Sequence, residues 1–156
     1  MNPMKILTEE EAFARLSAQC ATAEHCAHEI NEKMVRWQLD DDIRKRIIQR
    51  LTEERYIDER RYCRAFTADK LRYNKWGRHK IAQALAMKHI DRTLVNEALN
   101  GIDEEEYFSV LQDVLSAKRK NIKAANDYEL HGKLMRFAIG RGFGMDEVRR
   151  YIEQND

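Results

Sequence analysis

Apolar residues recur three and four positions apart along almost the whole chain, and that spacing predicts helices throughout. Thr8-Glu9-Glu10-Glu11 reads as a capping box, with Phe13, Leu16 and Cys20 following on one face. A second helix carries Ile30, Met34 and Trp37. Leu39 leads into Asp40-Asp41-Asp42, acids suited to the positive end of a third helix bearing Ile43, Ile47 and Leu51. The pattern restarts at Asp58, a candidate N-cap for a helix with Tyr62, Ala65, Phe66 and Leu71. Gly77-Arg78-His79-Lys80 opens the next, with Ile81, Leu85 and Lys88. Asp91 caps a short helix with Leu94, Val95, Ala98 and Leu99, and Gly101 is expected to close it at positive φ. A third round starts with the capping box Asp103-Glu104-Glu105-Glu106, followed by Tyr107, Val110, Leu111, Val114 and Leu115. Leu134, Ala138 and Ile139 mark its second helix. Gly140, Gly142 and Gly144 surround Phe143 ahead of a last helix with Val148 and Ile152. The stretch KRKNIKAAN, residues 118–126, carries no clean stripe and is expected to loop out.

Three anchors hold the same register in each round. Ile30, Ile81 and Leu134 correspond, then Met34, Leu85 and Ala138, then Leu39, Ile90 and Phe143. The first step is 51 residues and the second 53. A period of this length predicts an all-α, elongated tandem array of three three-helix repeats, at residues 8–57, 58–102 and 103–156. Neighbouring units must stack, because three short helices alone bury too little apolar surface.

Composition agrees with helices. Only one proline and six glycines punctuate 156 residues, and 35% of the chain is charged. The net charge of +1 conceals a segregation. Residues 1–57 hold 9 Lys+Arg against 11 Asp+Glu, residues 58–100 hold 10 against 5, and residues 101–156 hold 9 against 11. A basic middle between acidic ends favours a polyanionic partner at the centre. No apolar run approaches the length of a membrane span, and MNPMKILTEEE lacks a signal-peptide core, so a cytoplasmic protein that binds no membrane is expected. The three cysteines, Cys20, Cys26 and Cys63, then read as reduced thiols.

The basic set is Arg60, Arg61, Arg64, Lys70, Arg72, Lys75, Arg78 and Lys80. Lys70, Arg72 and Lys75 gather at the C-terminal end of a helix, where cations oppose the negative end of its dipole. Arg78 and Lys80 sit at a helix start, where cations are disfavoured, and a partner anion near the Gly77 amides would relieve that conflict. Contacts with a partner are assigned to Arg64, Lys70, Arg72, Lys75, Arg78 and Lys80. Trp76 and Trp37 read as staples or core. His25, Cys26 and His28 lie close together, but no second cluster completes a metal site. No P-loop, nucleophile elbow or dinucleotide pattern appears, and acid pairs such as Asp41/Asp42 read as capping acids. No enzyme, cofactor, metal or small-molecule substrate is expected.

With these residues in view, the chain resembles the RecX family of recombinase regulators. RYIDERRYCRAF (residues 55–66) resembles the family's Gly-Tyr-Leu/Ile-Asp-Asp-x-Arg-Phe/Tyr-Ala-x-x-Phe segment. KWGRHKIAQALAMKHID (75–91) resembles its Lys-x-Gly-x-x-x-Ile-x-x-x-Leu-x-x-Lys-Gly-Ile segment, and IGRGFGMDEVRRYI (139–152) its Arg-Gly-Phe close. The likeness spans about residues 10–154. Asp58, Arg61, Tyr62, Phe66, Gly77, Ile81 and Leu85 match the motif positions and are read as mainly structural. Arg55 and His89 stand where the family carries glycine. The resemblance implies a non-catalytic regulator, usually an inhibitor, that binds the RecA recombinase along the groove of its filament on single-stranded DNA. A nucleic-acid-binding protein of helix-turn-helix-like units acting alone is the alternative, and a plain helical adaptor the third possibility.

Overall fold

The computed structural model describes residues 6–155. Met1–Lys5 of the MNPMKILTEEE stretch, and Asp156, lie outside it. Among the described residues all regular structure is helical: α1 Glu9–Thr22, α2 Ala27–Arg36, α3 Asp41–Glu53, α4 Glu59–Arg72, α5 Arg78–Ala86, α6 Arg92–Asn100, α7 Glu104–Arg119, α8 Asp127–Gly140 and α9 Met145–Asn155. Side-chain caps set many of the starts. Thr8, Asp58, Asp91, Asp103 and Asn126 accept from the amides of Glu11, Arg61, Thr93, Glu106 and Glu129 at 2.8–3.3 Å. Asp40 occupies the cap position of α3 without a side-chain bond.

Several ends differ from the sequence expectation. Gly101 follows α6 at φ −80, so its freedom at positive φ is not used there. Trp37 and Lys88 fall just past α2 and α5 rather than inside them. Lys118 and Arg119 complete the last turn of α7, and the loop begins after them. The left-handed positions sit instead at the ends of the second helices. Gln38, His89 and Gly142, in equivalent registers, have φ of 61, 56 and 98. At the first and last of these the chain closes as a Schellman motif, with the Leu39 amide bonding Met34 O at 3.1 Å and the Phe143 amide bonding Ala138 O at 3.0 Å. The apolar anchor is thereby folded back onto its helix. Arg55 also lies at positive φ, 62. Both places where the resemblance expects glycine thus keep a backbone that favours glycine.

The three sets of helices do not bury three separate cores. Ala12, Leu16, Ile30, Met34, Ile47 and Leu51 centre one core within α1–α3. The second and third sets share another, in which Ile81, Leu85, Leu111, Leu134, Phe143 and Tyr151 are all sealed from solvent and which Cys26 joins from the start of α2. Trp76 packs half-buried against that shared core and Trp37 against the first.

The two junctions between sets are built differently. Between the second and third, backbone meets backbone: the Gly77 amide bonds Arg141 O at 2.8 Å and the His79 amide bonds Gly142 O at 3.0 Å. A Cβ at Gly77 would lie 2.3 Å from Gly142 C, and one at Gly142 would lie 2.5 Å from Lys80 Cβ. Between the first and second, side chains converge on Glu29. Its carboxylate accepts from Tyr62 Oη at 2.7 Å and Lys88 Nζ at 2.9 Å, and His25 Nδ1 lies 3.1 Å away. Glu59 accepts from the Ala27 amide, Arg61 pairs with Glu24, and the His28 and His89 rings meet edge to face at 4.7 Å.

Candidate partner-binding face

The basic middle divides once its acids are located. Arg60 pairs with Glu97 at 2.7 Å, and Arg61 pairs with Glu24 while donating to the carbonyls of Arg55 and Tyr56. Arg72 grips Glu106 at the start of α7 at 2.6 Å. Arg78 is the most embedded. Its guanidinium meets Glu104 at 2.7 Å and Glu147 at 3.7 Å, donates to Leu99 O, and lies 4.1 Å from the centre of the Tyr107 ring. These four tie helices together.

The anion expected at the Gly77 amides has no room. The first amides of α5 are already taken: Gly77 N by Arg141 O, Arg78 N by Tyr107 Oη at 3.0 Å, and His79 N by Gly142 O. The cation at this helix start is explained by Glu104 and Glu147, which compensate Arg78 from the third set of helices.

Arg64, Lys70, Lys75 and Lys80 have no acidic partner among the described residues. Arg64 is exposed on α4 beside a cleft of about 330 Å³ that also borders Thr67, Leu71 and Ala98. Lys70 and Lys80 both approach the Trp76 ring, at 4.9 and 4.7 Å from its centre, and Lys70 reaches Phe66 at 5.4 Å. The indole therefore holds two ammonium groups without neutralising either. Lys75 sits between them in sequence at φ 55, and Tyr73 beside it is 81% exposed.

The motif residues serve the fold. Asp58 caps α4, and the Arg61 amide holds its carboxyl below the usual carboxylate range. Tyr62 is buried, its hydroxyl pushed to higher pKa by burial and by its bond to Glu29, and its ring stacks on Phe66 at 5.8 Å. Ile81 and Leu85 are fully buried. Cys20, Cys26 and Cys63 are free thiols; burial pushes Cys63 up to about 11, which disfavours a reactive thiolate. His25 serves Glu29 and His28 serves Glu32, and among the described residues no group of three or more His, Cys, Asp or Glu is placed to hold a metal. No helix among those residues is long and apolar enough to cross a membrane.

Sequence reasoning missed Arg141. Its guanidinium donates to the carbonyls of Asn74 and Lys75 and lies 5.7 Å from the Phe137 ring centre, so it joins the basic block to α8. Its place between two glycines and beside Phe143 was the available signal.

A family model described as "RecX, second three-helix domain" matches residues 58–99, and another, "RecX, third three-helix domain", matches residues 104–152. The chain belongs to the RecX family. It is 27% identical to the regulatory protein RecX of Clostridium botulinum (strain Alaska E43) over 97% of this chain and 73% of that one. With the regulatory protein RecX of Acinetobacter baylyi it shares 28% identity over 92% and 84% of the two chains. The crystal structure of RecX from Lactobacillus salivarius superposes with a TM-score of 0.80 at 16% identity, covering 94% of this chain and 95% of that one. A second RecX crystal structure gives 0.84 at 14% identity over 93% and 71%. The all-helical fold built of three-helix RecX units is thus common to these proteins.

Proposed function

We propose that this chain is a non-catalytic inhibitory regulator of the RecA recombinase, acting in the cytoplasm along the groove of RecA filaments assembled on single-stranded DNA. Membership of a family of regulatory proteins supports the reading in general terms. The observation that carries its residue assignment is the sorting of the basic block. Arg72 and Arg78 are consumed by acids of the third set of helices, whereas Arg64, Lys70, Lys75 and Lys80 keep their charge available. A filament groove lined by phosphates and acidic side chains is the kind of surface such cations fit. Arg72 and Arg78 remain part of the proposed face, contributing mainly by holding its geometry.

The test is the DNA-dependent ATP hydrolysis of RecA. Added below one chain per RecA subunit, this protein is expected to lower steady-state hydrolysis. A variant carrying Arg64→Glu, Lys70→Glu, Lys75→Glu and Lys80→Glu is expected to lose most of that effect while keeping its helical circular dichroism. Unaltered hydrolysis and filament length with the unmodified chain would refute the reading. Tight, strongly salt-dependent binding to naked DNA without any RecA effect would favour the stand-alone nucleic-acid reading instead.

A further inference from the structure

The KRKNIKAAN stretch has no role in the face described so far. In the structure two of its four basic residues, Lys118 and Lys123, border one cleft, while Lys120 is exposed outside it. Lys118 at the end of α7, Ile122 and Lys123 in the loop, and Lys133, Arg136 and Phe137 on α8 line one open cleft of about 550 Å³, and no acidic residue lines it. Lys133 is partly spent, meeting Glu129 at 3.0 Å and donating to Lys123 O at 2.6 Å, which ties the loop to α8. Arg136 also feels the Glu129 carboxylate, whereas Lys118 and Lys123 have no acidic partner among the described residues.

Lys118 has an ordinary reason to sit in the last turn of a helix, where it opposes the dipole. Lys123 has none. The cleft also repeats the device found at Trp76. Phe137 is half-buried, with Lys118 Nζ 4.7 Å and Arg141 Cζ 5.7 Å from its ring centre, as Lys70 and Lys80 flank Trp76. Arg141 bonds the carbonyls of Asn74 and Lys75, so it links the Phe137 group to the backbone just before Trp76. Cations held by rings rather than by carboxylates are positioned in advance, and no internal acid has to be displaced when an anion arrives.

We infer that the cleft between the end of α7, the 120–126 loop and α8 is a second phosphate-binding site, which takes the backbone of a single-stranded nucleic acid running on from Lys70, Lys75 and Lys80. Successive phosphates suit two linked cation groups better than one acidic side chain does, since a strand presents charge at every nucleotide. The site does not depend on RecA, and it stands or falls separately from the regulatory reading.

The probe is a fluorescein-labelled oligothymidylate, followed by anisotropy with the full chain over a series of salt concentrations. The unmodified protein is expected to bind with a steep salt dependence. Lys118→Gln with Lys123→Gln is expected to weaken binding about ten-fold at low salt and to reduce the slope of log K against log salt by about 1.4, the loss of two single-strand phosphate contacts. Lys118→Glu with Lys123→Glu should weaken it further, and circular dichroism melts of both variants identify any loss of folding. Should the charge-reversed pair unfold, the glutamine pair decides. Unchanged affinity and slope in the folded glutamine pair would overturn the proposal. So would displacement of the oligonucleotide by polyglutamate at equal charge concentration, which would mark the cleft as a site for acidic protein segments. Loss of RecA inhibition in the unmodified protein with oligonucleotide binding intact would remove only the regulatory reading.

Discussion

A methyl group at Gly77 would stand 2.3 Å from the carbonyl carbon of Gly142, far inside any non-bonded contact, and the obstacle is the backbone of Gly142 and Phe143. Gly77 itself has an ordinary φ of −80, so it is glycine for the sake of approach and not of conformation. Gly142 needs both, at φ 98 and with Lys80 against it. His89 and Gln38 hold the equivalent backbone with side chains in place. Gly77→Ala is therefore expected to destabilise the protein by about 2 kcal/mol through forced displacement of the third set of helices, measured by urea denaturation. A stability within a few tenths of a kcal/mol of the unmodified chain would contradict that account of the junction. The repeat anchors were legible in the sequence, but this contact was not, because its partners lie 65 residues apart and neither glycine announces the other.

At the level of elements, the helix starts were readable because their caps are local: Thr8, Asp58, Asp91 and Asp103 each bond an amide two or three residues on. The charges at the α5 start were not readable, because Glu104, Tyr107 and Glu147 reach Arg78 from α7 and α9. The same holds for α2 and α4, which meet through Glu29. Burial alone would raise the pKa of that carboxyl, but the bonds from Tyr62, Lys88 and His25 outweigh it and leave the value below the usual 4.5. Its stabilising contribution is thus complete above its unfolded value and lost as pH falls through the lower folded one. Glu59 runs the other way: burial raises its pKa, so its charge works against folding near neutrality and that cost fades in acid. Glu29→Gln is expected to cost about 1–2 kcal/mol at pH 7, with the difference shrinking as the pH falls below the ordinary carboxylate range. Paired denaturation curves across pH give the measurement, and a pH-independent difference would show that the charge on Glu29 is not what matters.

For the whole molecule, two cores imply two cooperative units. The six helices of the shared core should open together, and α1–α3 should open at lower free energy, since their own core is smaller and their junction is mostly polar. Native-state hydrogen exchange is expected to report two distinct opening energies along these lines; one common value across all the helices would show that the Glu29 junction transmits as much as the glycine contact does. The sequence pattern implied three like units and could not reveal this pairing, because the apolar stripe of each helix looks the same whether it faces its own set or the next. The contrast between the junctions also sets how the chain can bend. Two backbones in direct contact at Gly77 and Gly142 allow no sliding, so the second and third sets move as one stiff arm. The junction at Glu29, joined by side chains from Tyr62, Lys88 and His25, lacks that backbone lock, so bending is expected there first. A partner of varying curvature would be followed by swinging α1–α3 about that point, while the cations of the rigid arm keep a constant spacing against it.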